Sequence, residues 1–246
     1  MNKVKETKFL DDLYQNYITS DDSEYLKFMR RAVMEKCLGW MQPDGIAMEL
    51  GCEIGYMTEL ISPEVAQLDT IEGSNLFIEQ AHKRGLKNVT FFNQLFEEVS
   101  GENLYDYIFA SHVIEHVENP GKILRAMHQA LKPGGMIFIT VPNAYAASRQ
   151  LALSMGIITD LFELTPNDMR GGHRRVYDKH EIVNATSGAG FDVMEASGLL
   201  FKPFADFQMD ELIDLGLITE AHMNGLLKLG ANYPELCGAI FIVGRK

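Results

Sequence analysis

The chain has 246 residues, 46% of them hydrophobic, which suits one large domain with a real core. Its 34 acidic residues outweigh 22 basic ones, and the formal net charge of -12 argues against non-specific nucleic-acid binding, which needs a basic surface. Cys37, Cys52 and Cys237 form no C-x-x-C pair and read as reduced thiols in a cytosolic setting. The opening Met1-Asn2-Lys3-Val4-Lys5-Glu6 has no apolar signal core, and the longest apolar runs, such as 239–243, are too short to span a bilayer. The expectation is a cytoplasmic protein with no membrane segment.

Residues 7–40 read as helical. Leu26, Met29, Val33, Cys37 and Trp40 recur at three- and four-residue steps and mark one buried face, with Asp21 or Asp22 as the cap. Pro43-Asp44-Gly45 is a turn. Strands are then expected at 46–50, 67–72, 88–92, 104–110 and 135–141, with helices at 54–61, 74–84 and 120–132 between them. Asn119 is a good cap for the last helix, Pro120 suits its first position, and 132–135 (Lys-Pro-Gly-Gly) should end it. Alternation at this spacing means a parallel sheet with helices on both faces. Residues 143–177 and 203–234 break the pattern and read as helical insertions. Between and after them come a helix near 178–189, a strand near 191–198 and a last strand at 238–244.

The most informative stretch is Ala47-Met48-Glu49-Leu50-Gly51-Cys52-Glu53-Ile54-Gly55-Tyr56. An apolar strand ends in an acid, and two glycines lead into a helix. Such a turn lets backbone approach a ligand closely, and the acid suits an amine or hydroxyl and repels a pyrophosphate. The dinucleotide pattern G-x-G-x-x-G fails here, because Glu53 and Tyr56 stand at its second and third glycines, which opposes an oxidoreductase.

Glu49-x-Gly51-x-x-x-Gly55 resembles motif I of the class I S-adenosylmethionine-dependent methyltransferases, departing at Glu53 where a glycine is usual. The resemblance covers roughly residues 40–200 and is closest to the small-molecule group that includes the ubiquinone-biosynthesis O-methyltransferases. It implies an α/β, Rossmann-like, seven-stranded and mostly parallel sheet with its last strand antiparallel. It implies one methyltransferase domain over 1–246, with N-terminal helices at 1–42 and the two insertions forming a lid over the active site. The cofactor would be S-adenosylmethionine. Glu49 would face its amino group, Gly51, Cys52 and Gly55 would pass beneath its methionine and ribose, and Glu72 would accept from both ribose hydroxyls, with Gly73 opening the next helix. Gln94 and the Leu95 backbone would meet adenine, and Ala110 and Ser111 would border the methionine part.

The acceptor side is less defined. Residues 109–117 resemble the family's "LEHV" segment, 141–143 its "VPN" segment, and Gly172-His173-Arg174-Arg175-Val176-Tyr177 its "H-R-[RF]-x-[YF]" entry to a helix. His112, His116, His173 and Tyr177 are candidate catalytic residues, and Asn143, Arg174 and Arg175 candidate acceptor contacts. In the ubiquinone-type enzymes a segment like 112–116, with an acid in place of His112, can hold a divalent metal; the reading preferred here is structural bracing, without metal. Tyr14 and Tyr17 could cover the cofactor or simply pack in the core, and Phe201, Phe204, Phe207 and Met209 could line the acceptor pocket or form insertion core. The implied activity is methyl transfer to oxygen or nitrogen of a small-molecule acceptor. A protein acceptor and a catalytically silent cofactor-binding module stay open. A flipped nucleobase is disfavoured, since Ala-Ser-His-Val stands where a [DNS]-P-P-[YF] grip would be. The sequence does not give the acceptor's identity or the oligomeric state.

Overall fold

A computed structural model describes residues 3–17 and 23–246, apart from the side chains of residues 3–5 and 15–17. In chain order come α1 (Lys3–Tyr17), α2 (Glu24–Leu38), β1 (Ile46–Leu50), α3 (Tyr56–Ile61), β2 (Gln67–Glu72), α4 (Asn75–His82), β3 (Val89–Asn93), β4 (Tyr105–Ser111), α5 (Pro120–Ala130) and β5 (Leu131–Pro142). Then follow α6 (Ala147–Ser154), α7 (Pro166–Arg170), α8 (Lys179–Gly188), β6 (Asp192–Phe201), α9 (Asp206–Asp214), α10 (Glu220–Asn232) and β7 (Cys237–Arg245).

The seven strands form one sheet in the order β3-β2-β1-β4-β5-β7-β6. The pairs among β1 to β5 are parallel, and β7 runs antiparallel to both β5 and β6. The inner strands are apolar throughout because both faces are covered. Phe109, Phe138 and Phe241 point to the face packed by Tyr25, Met29, Val33 and Cys37 of α2, with Met209 of α9 and Met223 of α10. Ile108, Ile137, Ile139 and Ile242 point to the other face, against Ile123, Leu124 and Met127 of α5 and Ile182 of α8. The period of two along each strand produces this sorting.

Three local expectations change. The proposed caps Asp21 and Asp22 lie outside the described residues, and Ser23 caps α2 by accepting from the Leu26 N–H. Helix α5 is capped by Asn119 with Pro120 at its first position, but it stops at Ala130 and not at residue 132. Leu131 already pairs with Tyr105, because Pro133 forces the residue before it out of helical geometry. The leading helical stretch is two helices, and α1 packs away from the sheet core, with its Leu10 over Gly73 and its Asp11 accepting from Ser74 Oγ at 2.6 Å.

Candidate active site

A cavity of about 560 Å³ lies along the carboxyl edge of the sheet. Every strand contributes to its wall: Glu49 of β1, Glu72 of β2, Leu95 beyond β3, Ser111 of β4, Asn143 beyond β5, Lys202 beyond β6 and Gly238 of β7. Four strand spacings of about 4.8 Å separate β2 from β7, so the two ends lie roughly 19 Å apart. Phe9, Leu10 and Leu13 of α1, Leu26 and Met29 of α2, and Arg149, Asp168 and His173 of the first insertion close over it.

The β1–β2 end is acidic. Glu49 is buried, and its Oε2 accepts from Thr58 Oγ1 at 2.7 Å and Thr70 Oγ1 at 3.2 Å. Its Oε1 has no partner among the described residues. Burial pushes this carboxyl up to about 8; the two threonine hydroxyls oppose the rise, and the charges of Glu53 and Glu72 add to it. Glu72 Oε1 accepts from the Ser74 N–H at 2.9 Å, and burial pushes it up to about 7 against the pull of nearby backbone N–H groups. Two such carboxyls side by side suit a ligand that brings a positive charge and hydroxyl donors.

The loop between them carries the strained residues. Gly51 (φ 72°) lines the cavity, and a Cβ there would meet Val113 Cγ2 at 3.2 Å. Glu53 occupies the left-handed region with φ 47°, at the place where the resembling family has glycine. Its side chain neither points to solvent nor fills the loop: it pairs with the guanidinium of Arg30 on α2. An ion pair thus ties this loop to the helix above it.

The middle of the cavity holds three imidazoles around a buried carboxylate. Glu115 is fully buried, and neither oxygen has a hydrogen-bond partner in good geometry among the described residues. His112 Nδ1 lies 3.4 Å and His116 Nε2 3.9 Å from its Oε1. Burial alone would raise the Glu115 carboxyl, but the three surrounding histidines hold it below the usual range. His116 is held low by burial, against the pull of Glu115. His173 packs edge-on against His116, with ring centroids 4.8 Å apart. Burial opposes a charge on His173, yet the Asp168 carboxylate 3.4 Å from its Nδ1, together with Glu115, lifts it above the ordinary imidazole value. Asp168 is itself fixed by Arg149 NH1 at 3.1 Å and by the N–H and Oγ1 of Thr165, each at 2.8 Å. One ligand atom each from Glu115, His116 and His173 lie within 4.8 Å of one another.

Residues 22–196 match the model of a family described as a methyltransferase domain. The chain belongs to that methyltransferase family. It is 27% identical over 173 residues to the mitochondrial ubiquinone biosynthesis O-methyltransferase of Rattus norvegicus, covering 65% of this chain and 48% of that protein. It is 26% identical over 190 residues to the ubiquinone biosynthesis O-methyltransferase of Bradyrhizobium sp. (strain ORS 278), covering 75% of this chain and 72% of that one. The chain therefore spans about half the length of the mammalian relative. Among solved structures, the N-methyltransferase NodS from Bradyrhizobium japonicum WM9 in complex with S-adenosyl-L-homocysteine superposes with a TM-score of 0.59 at 14% identity, covering 93% of this chain and 90% of that one. That likeness is one of fold.

In this methyltransferase, Glu49, Gly51, Cys52, Glu72, Gly73, Leu95, Ser111, His112, His116, Asn143 and His173 do line the cavity. Others do not. Gly55 (φ 86°) turns its α-carbon to α4, where a Cβ would sit 2.9 Å from Ala81 Cβ, so its glycine serves helix packing. Ala110 is enclosed in β4. The Gln94 N–H donates to the carbonyls of Glu72 and Phe92, which turns the chain after β3, and its side chain is not part of the wall. Leu95 lines the cavity, but its N–H already donates to Glu98 Oε2 at 3.1 Å. Tyr177 lies in the core under the sheet, its carbonyl accepting from the Ala144 N–H. Arg174 donates to the His116 carbonyl and the Glu6 carboxylate, and Arg175 to the Glu118 carbonyl, so both pin the insertion to its neighbours. Asn143 faces the cavity with its amide spent on the Glu235 and Cys237 carbonyls.

Of the two readings left open for the aromatic cluster, the pocket wall is not the one seen: none of Phe201, Phe204, Phe207 and Met209 lines the cavity. Phe207 is exposed, Met209 belongs to the core, and Phe201 packs on Tyr233. Tyr14 packs edge-on against Phe77, and its hydroxyl takes the Gln80 amide at 2.5 Å; the side chain of Tyr17 lies outside the described residues. Sequence reasoning missed Tyr25, Met29, Arg30, Arg149, Asp168 and Lys202. A signal existed for Asp168: Thr165-Pro166-Asn167-Asp168 is a capping box, which places an acid at a fixed point before His173. The others sit on helix faces or strand ends that only packing brings to the cavity.

Proposed function

We propose that this methyltransferase moves the methyl group of S-adenosylmethionine to an oxygen or nitrogen of a small-molecule acceptor. The observation that carries this reading is the pair of buried carboxyls, Glu49 and Glu72, at one end of a cavity whose other end is walled by different groups. The unpartnered Glu49 Oε1 is an acceptor for the cofactor's ammonium, and Glu72 for its ribose. The cationic ligand would replace the protons that burial places on these carboxyls. The sulfonium then falls near the β4 end, beside Ser111 and His112. A volume of about 560 Å³ lies in the range of small-molecule sites, and the overlying α1, α2 and first insertion favour a small acceptor over a protein segment. These segments are the lid of the reading.

Methyl transfer needs acceptor, methyl and sulfur in line, and alignment alone supplies about 7–11 kcal/mol. A hydroxyl acceptor must also lose a proton. His173 is the base that the geometry supports best, since the Asp168 carboxylate lies 3.4 Å from its Nδ1, an ion-pair contact without hydrogen-bond geometry, on one side of the ring. His116 supports the ring by edge contact, and the backbone of His112, at φ 55°, holds the turn after β4. A second reading has one observation in its favour: the clustered donors of Glu115, His116 and His173 form a set that suits a divalent ion. Such an ion would lower the acceptor hydroxyl's pKa, and His173 would then be a ligand and not a base.

Titration calorimetry with S-adenosylhomocysteine tests the primary claim. Wild type should bind it, and Glu72→Ala should bind at least about tenfold more weakly, the loss expected when a buried charge-assisted hydrogen bond goes. Equal affinity removes the ribose assignment. Exhaustive EDTA treatment followed by Mg²⁺ or Zn²⁺ separates the two readings of His173: activity that depends on the ion selects the second.

A further inference from the structure

At the far end of the cavity, about four strands from Glu72, stands one polar group that the methyl-transfer chemistry leaves unused. Tyr25 of α2 is 1% exposed and lines the cavity, and its hydroxyl has no hydrogen-bond partner among the described residues. Other buried tyrosines differ in this respect. Tyr107 Oη accepts from the Gln42 N–H at 2.7 Å, Tyr105 Oη donates to Asp69 at 2.9 Å, and Tyr14 Oη takes the Gln80 amide. Leaving a buried hydroxyl unpaired typically costs about 1–3 kcal/mol, so a group held this way in a cavity wall calls for a ligand.

Its surroundings define that ligand. Gly238 of β7 also lines the cavity, and a Cβ there would stand 3.3 Å from the Tyr25 hydroxyl and 3.0 Å from Lys202 Cβ. Even a methyl group there would crowd both neighbours, so glycine lets the β7 backbone close up beside the hydroxyl. Lys202 Nζ, the nearest cation in the wall, is already paired with Asp206 Oδ1 at 2.7 Å, and Asp210 lies just behind, accepting from the Tyr25 N–H at 3.0 Å. The local charge is therefore balanced or negative, which disfavours an anion. Burial and the charges of Asp206 and Asp210 keep the phenol protonated, so it can both donate and accept. Leu26, Met29 and Phe109 supply apolar wall around it.

We propose that Tyr25, with the close β7 backbone at Gly238 and the Lys202–Asp206 pair, forms an acceptor-recognition subsite that selects an uncharged hydroxyl group carried on an apolar body. This inference rests on the methyl-transfer reading, which puts the cofactor at the other end of the cavity. Tyr25 orients the acceptor from the side away from the methyl group and takes no part in the bond change.

Three probes of one shape test it: benzyl alcohol, toluene and benzoate, titrated by ligand-observed NMR into the full-length protein saturated with S-adenosylhomocysteine. Benzyl alcohol should bind about five- to tenfold more tightly than toluene, and benzoate no more tightly than benzyl alcohol. Tyr25→Phe keeps the ring and should erase the preference, with S-adenosylhomocysteine affinity unchanged and no loss of thermal midpoint. Gly238→Ala crowds the Tyr25 hydroxyl and Lys202 and should weaken benzyl alcohol while toluene is less affected. A preference that survives in Tyr25→Phe, a tighter benzoate, or no binding by any probe overturns the subsite. Failure of S-adenosylhomocysteine itself to bind overturns instead the methyl-transfer reading, and titration of the cofactor-free protein then still decides the role of Tyr25.

Discussion

The two ends of the cavity are built in different ways. The β1–β2 end is made of short loops that follow directly from their strands: Glu49 to Gly55 after one, Glu72 to Ser74 after the next. Its polar groups are set within a few residues of each other in sequence or across adjacent strands. The β5–β7 end joins α2, the residue after β6, the start of β7 and two insertions, segments up to about two hundred residues apart. The first end can be built once the sheet pairs; the second exists only when the helices dock. On the proposed reading, cofactor capture then rests on the sheet edge and acceptor binding on the docked helices and insertions.

The largest test of this division is His173→Ala. It should lower kcat for methyl transfer by about 10²–10⁴-fold if His173 is the base, with S-adenosylhomocysteine affinity unaltered. A parallel fall in cofactor affinity would show that the two ends are not separable. Next is Gly55→Val. A side chain at φ 86° and 2.9 Å from Ala81 should destabilise the fold by about 3 kcal/mol or more, read by urea unfolding, because the position serves the α3–α4 contact. Normal stability with selective loss of cofactor binding would return Gly55 to the ligand.

The finest test concerns the buried carboxyls. Glu49 in the folded protein keeps its proton up to about 8, whereas in the unfolded chain it releases it near the ordinary carboxylate value. Between those values the native state holds the extra proton, so raising the pH costs stability. Glu49→Gln has no such proton. It should gain on wild type from about pH 5 to about pH 8, by at most about 1.4 kcal/mol per pH unit, and level off above. Urea unfolding across that range, without cofactor, gives the slope; a flat difference means that Glu49 ionises normally.

Much of the sheet was legible. The approximate strand positions and the acid-ended turns follow from apolar runs, glycines and strand-end acids, since a doubly covered parallel sheet leaves a strong local pattern, whereas the antiparallel last strand was implied by the family resemblance alone. The reach of Arg30 to Glu53 was not, because an ion pair between a leading helix and a loop leaves no periodic trace. Arg174 and Arg175 looked like anion-binding groups, but their guanidiniums go to the Glu6 carboxylate and to backbone carbonyls that sequence cannot locate. Asp168 stood in plain view as a helix cap, and only the fold of the insertion turned its second oxygen to His173.

The amino-acid order by itself settled roughly where the strands lie, where the chain turns sharply, and that acids close the first two strands; each is a matter of near neighbours and backbone freedom. Docking settled the rest. It decided that Gly55 faces a helix, that the Tyr25 hydroxyl has no partner among the described residues, and that one histidine of three meets a second carboxylate. Those outcomes depend on the direction of side chains across distant segments, and that direction is fixed only when the layers close on each other.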